Sequence, residues 1–106
     1  MILYNTTFCI DNRLSDEFLE FLKLQYIPAA ESSGLHAALV LAMRGGNDDD
    51  NYTRTIALQM RAPSEGALEQ FHSAQLPEIY STINRRWGNG VAMFESTLDI
   101  LHDSER

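Results

Sequence analysis

Carboxylates, histidines and one cysteine are the side chains of this sequence that could do chemistry, and their spacing decides which chemistry. Carboxylates cluster in the stretch GGNDDDN, residues 45–51, which suggests a calcium loop. The best-known calcium loop needs a glycine at its sixth position and a glutamate at its twelfth. Counted from Asp48, those positions hold Thr53 and Gln59. The stretch is therefore predicted to be a solvated hairpin turn.

The histidines and the cysteine predict no reactive or metal-binding centre. His36, His72 and His102 form no HxH or i,i+4 pair, so no metal site is expected. His72 is expected at the boundary of a helix. Cys9, the single cysteine, can form no internal disulfide, which favours a small core residue in a reducing, cytoplasmic compartment. No phosphate loop, nucleophile elbow or dinucleotide fingerprint occurs, so no cofactor is predicted.

Charge and hydropathy exclude two classes of partner. The formal net charge is −7 with only eight Lys and Arg residues, so no basic stripe is available for nucleic acid. No apolar run approaches the roughly 20 residues that cross a bilayer, so no membrane partner is predicted. The opening MILYNTTFCI has no basic segment and is expected to form a strand rather than a signal peptide.

The elements that must position these residues follow from two hydrophobic periods. Alternation over residues 2–10, 35–44, 52–61 and 91–101 predicts four strands. Helical spacing over residues 15–33 and 64–87 predicts two helical regions, which Gly34 and Gly88 end. Pro77 is expected to split the second region, because proline suits the first turn of a helix. Pro28 is expected to cause a kink or a fresh turn in the first region and so to redirect the chain toward the second strand.

The order strand, helix, strand, strand, helix, strand on 106 residues predicts one α+β domain. This is the order of the ferredoxin-like βαββαβ sandwich, a four-stranded antiparallel sheet with its helices on one face. The domain is expected over residues 1–101, followed by a frayed tail at 102–106. The predicted core face of the sheet consists of Tyr4, Thr6, Phe8, Ile56, Leu58, Met60, Phe94 and Leu98.

The opposite, open face of the sheet is predicted to mix polar and apolar side chains. Its expected members are Leu3, Asn5, Thr7, Cys9, Thr53, Thr55, Ala57, Gln59, Met93, Glu95 and Thr97. The second strand adds either its Leu39 or its Val40 set, and since both sets are apolar we expect cover on both sides. An uncovered patch of this kind predicts a homodimer related by a twofold axis.

A small-molecule pocket between the two sheets would be lined by polar residues of this face. The ligand-contact candidates there are Asn5, Thr7, Gln59 and Glu95, although water or mutual hydrogen bonds at an interface would also satisfy them. Tyr26 is a further candidate, because the kink at Pro28 could tilt its phenol toward the rim of the sheet. Packing between helix and sheet is the alternative role for Tyr26.

Five stretches carry a resemblance that covers nearly the whole chain. MILYN, FLKLQYIP, SGL, TIALQM and LPEIYSTINRRWGNGVAMFESTL, in this order, are similar to the bacterial domain-of-unknown-function family 4286. The resemblance implies a dimeric α/β barrel, in which two ferredoxin-like sheets enclose a cavity. Members of the family often carry histidine where this chain has Tyr26, so no imidazole role carries over. The wider superfamily includes cofactor-free monooxygenases, decarboxylases and haem-handling enzymes, but a fold does not transfer function.

Three functions remain open from the sequence. The first is a cytoplasmic homodimer that binds a small molecule or acts as an interaction module, with no assigned catalytic residue. The second is a cofactor-independent enzyme, with Glu95 as general base in a poorly hydrated pocket between the sheets. The third is a structural or regulatory dimer whose interface is filled by Leu39, Leu41 and Met93.

Overall fold

A computed structural model describes residues 1–44 and 52–104. The acidic stretch at 45–51, and with it the predicted hairpin turn, lies outside the described residues. The strands are β1 (Ile2–Asp11), β2 (His36–Ala42), β3 (Thr53–Ala62) and β4 (Val91–Asp99). The first helical region consists of α1 (Ser15–Phe21), a π-helical segment (Leu22–Tyr26) and α2 (Ile27–Ser32); the second consists of α3 (Glu65–Ala74) and α4 (Leu76–Trp87). Short 3-10 turns at Asn12–Leu14 and Gly88–Gly90 precede α1 and β4.

The four strands form one antiparallel sheet in the order β2-β3-β1-β4. The expected ferredoxin-like βαββαβ topology is confirmed. β1 and β3 lie in the centre and have full ten-residue registers, whereas β2 and β4 form the two edges. Both helical regions cover the same face of the sheet. This is seen from β1 and β3, in which every second side chain, at the even-numbered positions, is buried among helix residues.

The core lies between this covered face and the helices. β1 and β3 contribute their even-numbered residues, and the helices contribute aromatic and aliphatic side chains that pack edge-on with one another, such as Phe18 with Phe8 and Trp87. The predicted core positions of Phe94 and Leu98 are wrong. Both lie on the open face opposite Thr7 and Leu3, because the β4 register directs Val91 and Met93 toward the helices instead.

The first helical region accommodates Pro28 through a π-helical turn. The amide of Ile27 donates to the carbonyl of Leu22, five residues back, and Pro28 then stands in the first turn of α2. A proline there removes no needed donor, because the first amides of a helix have no partner within it. The interruption that the sequence predicts at Pro28 is thus a π turn directly before it.

Gly34 ends the first helical region as predicted. Its φ of +100° is a conformation that L side chains rarely adopt. The amide of Leu35 donates to the carbonyl of Ala30, and the amide of Gly34 donates to that of Glu31. This pair of bonds is the Schellman arrangement, and it directs buried Leu35 back onto the core.

The second helical region follows the predicted punctuation. The Ser64 hydroxyl accepts a hydrogen bond of 3.1 Å from the amide of Ala67 and so caps α3. Pro77 stands in the first turn of α4, directly after the break between α3 and α4. Gly88, at φ +51°, ends α4. These residues fix where α3 begins, where α4 begins and where α4 ends.

β2 is exposed along most of both faces, so the expectation of cover on both sides is wrong for the single chain. Leu39 and Leu41 lie on the open face, opposite Gln59 and Ala57, and Val40 lies on the helix side but remains exposed. A bulge between His36 and Leu39 includes Ala37, a non-glycine residue at φ +57°. As an edge strand, β2 projects beyond the helices that cover β1 and β3.

The chain after β4 continues to pack along the sheet. The Ile100 amide donates to the Met1 carbonyl at 3.1 Å, and Arg61 forms an ion pair of 2.6 Å with Asp103. Side chains of both charged residues are mostly buried. The limits of the domain at residues 1–101 stay a prediction.

Candidate functional site

Three of the five predicted ligand contacts lie together in the centre of the open face. Asn5 on β1 is directly opposite Gln59 on β3, and Thr7 follows two residues along β1 on the same face. The amide nitrogen of Asn5 donates to the Thr7 hydroxyl at 3.1 Å. All three side chains are half-buried and uncharged. This neutral centre can donate and accept hydrogen bonds but holds no fixed charge.

Apolar side chains flank this neutral centre on both sides. Leu39 and Leu41 project from β2, and Phe94 and Leu98 project from β4. They are 57%, 41%, 66% and 50% exposed, respectively. Half-buried Cys9 lies on the same face, opposite Thr55 and Ala92. The open face therefore has a polar middle with an apolar margin along each edge strand.

The other two candidates, Tyr26 and Glu95, lie on the opposite side of the sheet. Glu95 is directly opposite Thr6, whose side chain belongs to the covered face, and Met93 and Thr97 share its orientation. The predicted open-face positions of Met93, Glu95 and Thr97 are therefore wrong. A general base at Glu95 in a cavity between open sheet faces is excluded, and so is a dimer interface filled by Met93.

Tyr26 is fully buried rather than tilted toward a rim. Its phenol oxygen lies 3.4 Å from the Thr6 hydroxyl, and its ring packs against Phe8 and Phe71. The π-helical segment ends at Tyr26 and delivers the side chain into the core. Burial raises the pKa of the Tyr26 phenol above its ordinary value, because a phenolate would lose its hydration there.

Glu95 is the centre of a polar cluster that the sequence did not predict. The Tyr4 hydroxyl donates to Glu95 Oε1 at 2.7 Å, and the Tyr80 hydroxyl donates to the same oxygen. His72 Nε2 lies 3.8 Å from Glu95 Oε2 and 3.3 Å from the Tyr4 oxygen. We call these four residues the Glu95 cluster. It joins β1, α3, α4 and β4 at the edge of the sheet.

The hydrogen bonds of the cluster fix the position of a proton on His72. Tyr4 has one hydroxyl proton, which it donates to Glu95 at the shorter distance. The Tyr4 oxygen can then only accept from the imidazole, so we assign the tautomer with the proton on Nε2.

Both tyrosines of the cluster hold their protons more tightly than a free phenol. The pKa of Tyr4 is raised first by burial, then by neighbouring Tyr26 and by its hydrogen bond to Glu95. The pKa of Tyr80 is raised by burial and by its hydrogen bond to the Glu95 carboxylate. Two neutral phenols therefore donate to one oxygen, which holds the carboxylate in a fixed orientation.

Metal ligands do not converge in the part of the chain that the structure describes. No group of three or more His, Cys, Asp or Glu side chains there is arranged to hold a metal ion. His36 and His72 lie on different elements, and the ring of His102 is 3.0 Å from the hydroxyl of Ser104. Within residues 1–44 and 52–104, no helix is long and apolar enough to cross a membrane.

The fold and the polar features define a ferredoxin-like α+β domain with two distinct polar regions. A family model described as "Domain of unknown function (DUF4286)" matches residues 1–101. The chain belongs to this family, and no curated protein matches it.

A solved structure shows the same fold. A dimeric ferredoxin-like protein from an uncultured marine organism has a TM-score of 0.71 and 11% sequence identity, with each chain covered over 100% of its length. A protein described as PII-like signaling, from Thermus thermophilus, has a TM-score of 0.42 and 14% identity, and the match covers 92% of this chain and 88% of that protein. The first shows the ferredoxin-like fold, and the second is too distant to support an argument.

Proposed function

We propose that this protein is a homodimeric binding module, formed by two copies that pack their open sheet faces together around a twofold axis. The apolar margins would make the contact, and the neutral centres of Asn5, Thr7 and Gln59 would face one another as ligand contacts. A bacterial, cytoplasmic location is part of the same proposal, since Cys9 has no cysteine partner within the chain.

The observation that carries the proposal is where large exposed apolar side chains lie. Leu39, Leu41, Phe94 and Leu98 all project from the open face, and each is at least 41% exposed. Large apolar side chains exposed together on one face of a protein often mark an interface. A second copy is the occupant that this face fits best, because it presents the same apolar margins around the same neutral centre.

The size of the face is sufficient for a stable dimer. Four strands about 4.8 Å apart and about 30 Å long present roughly 600 Å². Stable interfaces begin at about 600 Å² for each partner. The similar solved protein is described as dimeric, which supports pairing of this fold, although the two chains share only 11% identity.

Substitution of Leu39 tests the interface directly. We expect Leu39→Glu to convert a dimer into a monomer, because it buries a carboxylate against the apolar margin of the partner. The molar mass is measured by size-exclusion chromatography with light scattering at micromolar concentration. Leu24→Glu is the matched control: Leu24 is 65% exposed but belongs to the helical layer on the other side.

Two results would contradict the proposed dimer. The first is a parent protein that is monomeric at micromolar concentration. The second is a dimer that survives Leu39→Glu but dissociates with Leu24→Glu, since that would place the interface on the helices.

The ligand would be a small neutral molecule that both donates and accepts hydrogen bonds, because the open-face centre contains two amides and a hydroxyl. Native mass spectrometry of the purified protein, compared with a denatured sample, would detect it. A dimer with extra mass that is lost on denaturation is the expected result. A dimer without extra mass, also after soaking with amide and polyol probes, would favour a structural or regulatory dimer with no pocket.

A further inference from the structure

Glu95 has one carboxylate oxygen that the polar cluster leaves available. Both phenols donate to Oε1, while the nearest ionisable partner of Oε2 among the described residues is His72, at 3.8 Å. That distance is too long for a hydrogen bond. The Glu95 side chain is 29% exposed, so it is partly open to solvent. The carboxylate is thus held in place by its neighbours and open on one side.

Cavities lie on both sides of Glu95 along the helix-facing side of β4. One, of about 300 Å³, is lined by Tyr80, Ile83, Asn84, Val91 and Met93, together with Gly88. The other, of about 430 Å³, is lined by His72 and Thr97 among others. Met93 and Thr97 lie about 7 Å from Glu95 along the same face of β4, so each cavity begins beside the Glu95 side chain.

The two cavities differ in chemistry in a way that suggests one orientation for a ligand. The smaller cavity is mainly aliphatic and aromatic, and suits an apolar body, whereas the larger one is acidic, with Glu65, Glu69 and Asp99 in its wall. Among the residues that the structure describes, neither cavity is lined by Lys or Arg. A positive head group beside the smaller cavity would therefore meet the negative charge of Glu95 without a lysine or arginine to compete for it.

We propose that the β4 edge binds a small organic ammonium ion, with its short apolar body against Ile83, Val91 and Met93 and its nitrogen at Glu95. An apolar chain of about five or six carbons spans the distance of about 7 Å between Met93 and Glu95. The site is on the helix side of the sheet, so it goes beyond the proposed dimer and does not require it.

Hexylammonium is the probe that tests this site, and its neutral and anionic analogues are the controls. In a titration followed by amide chemical shifts, we expect hexylammonium to perturb residues 80–84 and 91–97. Hexan-1-ol and hexanoate should bind at least tenfold more weakly, because they lack the positive charge. Equal binding of hexan-1-ol and hexylammonium would overturn the proposal, since the carboxylate would then have no role.

A substitution of Glu95 tests whether its carboxylate recognises the ammonium group. Glu95→Gln keeps the shape and an acceptor for the phenols but removes the charge, and we expect at least a tenfold loss of hexylammonium affinity. Affinity within twofold of the parent would overturn the proposal.

A pair of lysine substitutions decides the question even if Glu95→Gln fails to fold. Asn84→Lys adds a positive charge to the cavity wall at an exposed position of α4, and Ser81→Lys adds the same charge at an exposed position that lines neither cavity. We expect at least a fivefold loss of affinity from Asn84→Lys alone. Equal effects of the two substitutions would overturn the proposal.

Discussion

The phenol of Tyr26 lies between the sheet and the helices with no exposed surface, 3.4 Å from the hydroxyl of Thr6. Its pKa is raised by burial. The folded protein therefore keeps the phenolic proton to a higher pH than the unfolded chain does. Its contribution to stability is complete below the unfolded value of about 10 and is lost as the pH rises above it.

Tyr26→Phe should therefore change how stability depends on alkaline pH. The free energy of unfolding should fall above pH 10 in both proteins. The fall should be shallower in the variant, because unfolding then releases about one proton fewer per molecule. This reduces the slope by about 1.4 kcal/mol for each pH unit. At pH 7 the loss should not exceed about 1 kcal/mol, because only a long hydrogen bond is removed. Urea unfolding at pH 7 and between pH 10 and 12 measures both. An unchanged alkaline slope would contradict the expectation.

At the scale of a single element, β2 carries an unfavourable backbone conformation. Ala37 has φ +57° within the bulge that separates His36 from Leu39. An L residue in this left-handed region crowds its Cβ against the following carbonyl, at a cost of about 1 kcal/mol. The bulge shifts the register of β2 and so orients Leu39 and Leu41 toward the open face.

Ala37→Gly should stabilise the protein, because glycine adopts this φ without that crowding. We expect a gain of about 0.5 kcal/mol in the free energy of unfolding, after allowance for the greater freedom of glycine in the unfolded chain. The neighbouring Ala38→Gly is the control and should destabilise by about 0.5–1 kcal/mol. Thermal and urea unfolding of both variants decide the matter. Destabilisation of equal size at both positions would show that Ala37 is not strained.

At the scale of the whole molecule, charge acts against self-association. Each chain has a formal net charge of −7, so a dimer would carry twice that, −14. The proposed contact surface is apolar at its margins and neutral at its centre. Repulsion between the two chains would thus be general rather than the result of particular ion pairs.

Salt should therefore strengthen the dimer. Between about 0.02 and 0.5 M sodium chloride the dissociation constant should fall several-fold, because screening shortens the range of the repulsion from about 20 Å to less than 5 Å. Sedimentation equilibrium at several ionic strengths measures it. A dissociation constant that rises with salt would instead indicate an interface held by ion pairs, for example through Asp11 or Arg61 at the ends of the open face.

Local signals predicted the elements and the topology, whereas contacts between distant residues determined the site. Ser64, Pro77 and Gly88 mark helix ends through backbone chemistry that acts within a few positions, so the helices were predictable. The orientation of β4 is not predictable in this way, because its apolar residues in VAMFESTLD occur at both odd and even positions. As an edge strand beyond much of the helical cover, it shows Phe94 to one side and Glu95 to the other.

The Glu95 cluster had no sequence signal of its own. Tyr4 and Glu95 are 91 positions apart, and only the pairing of β1 with β4 brings them together. Tyr80 and His72 follow helical spacing that equally predicts core packing or exposure. The one available hint is a carboxylate in the middle of a strand whose other interior residues are apolar or small and polar, and the face predicted for it is wrong.

The π-helical turn at Leu22–Tyr26 gives the first helical region a tolerance for changes in chain length. Removing one residue from an ordinary packed helix rotates every later side chain by about 100° and so moves apolar groups out of the core. A π turn contains one residue more than the α turn it replaces, so loss of a single residue there restores regular helix and leaves both flanks in phase. Related chains that are one residue shorter between Phe21 and Ile27 can therefore keep the same core, provided that they also lack a proline at the position of Pro28, which a regular helix would not accommodate.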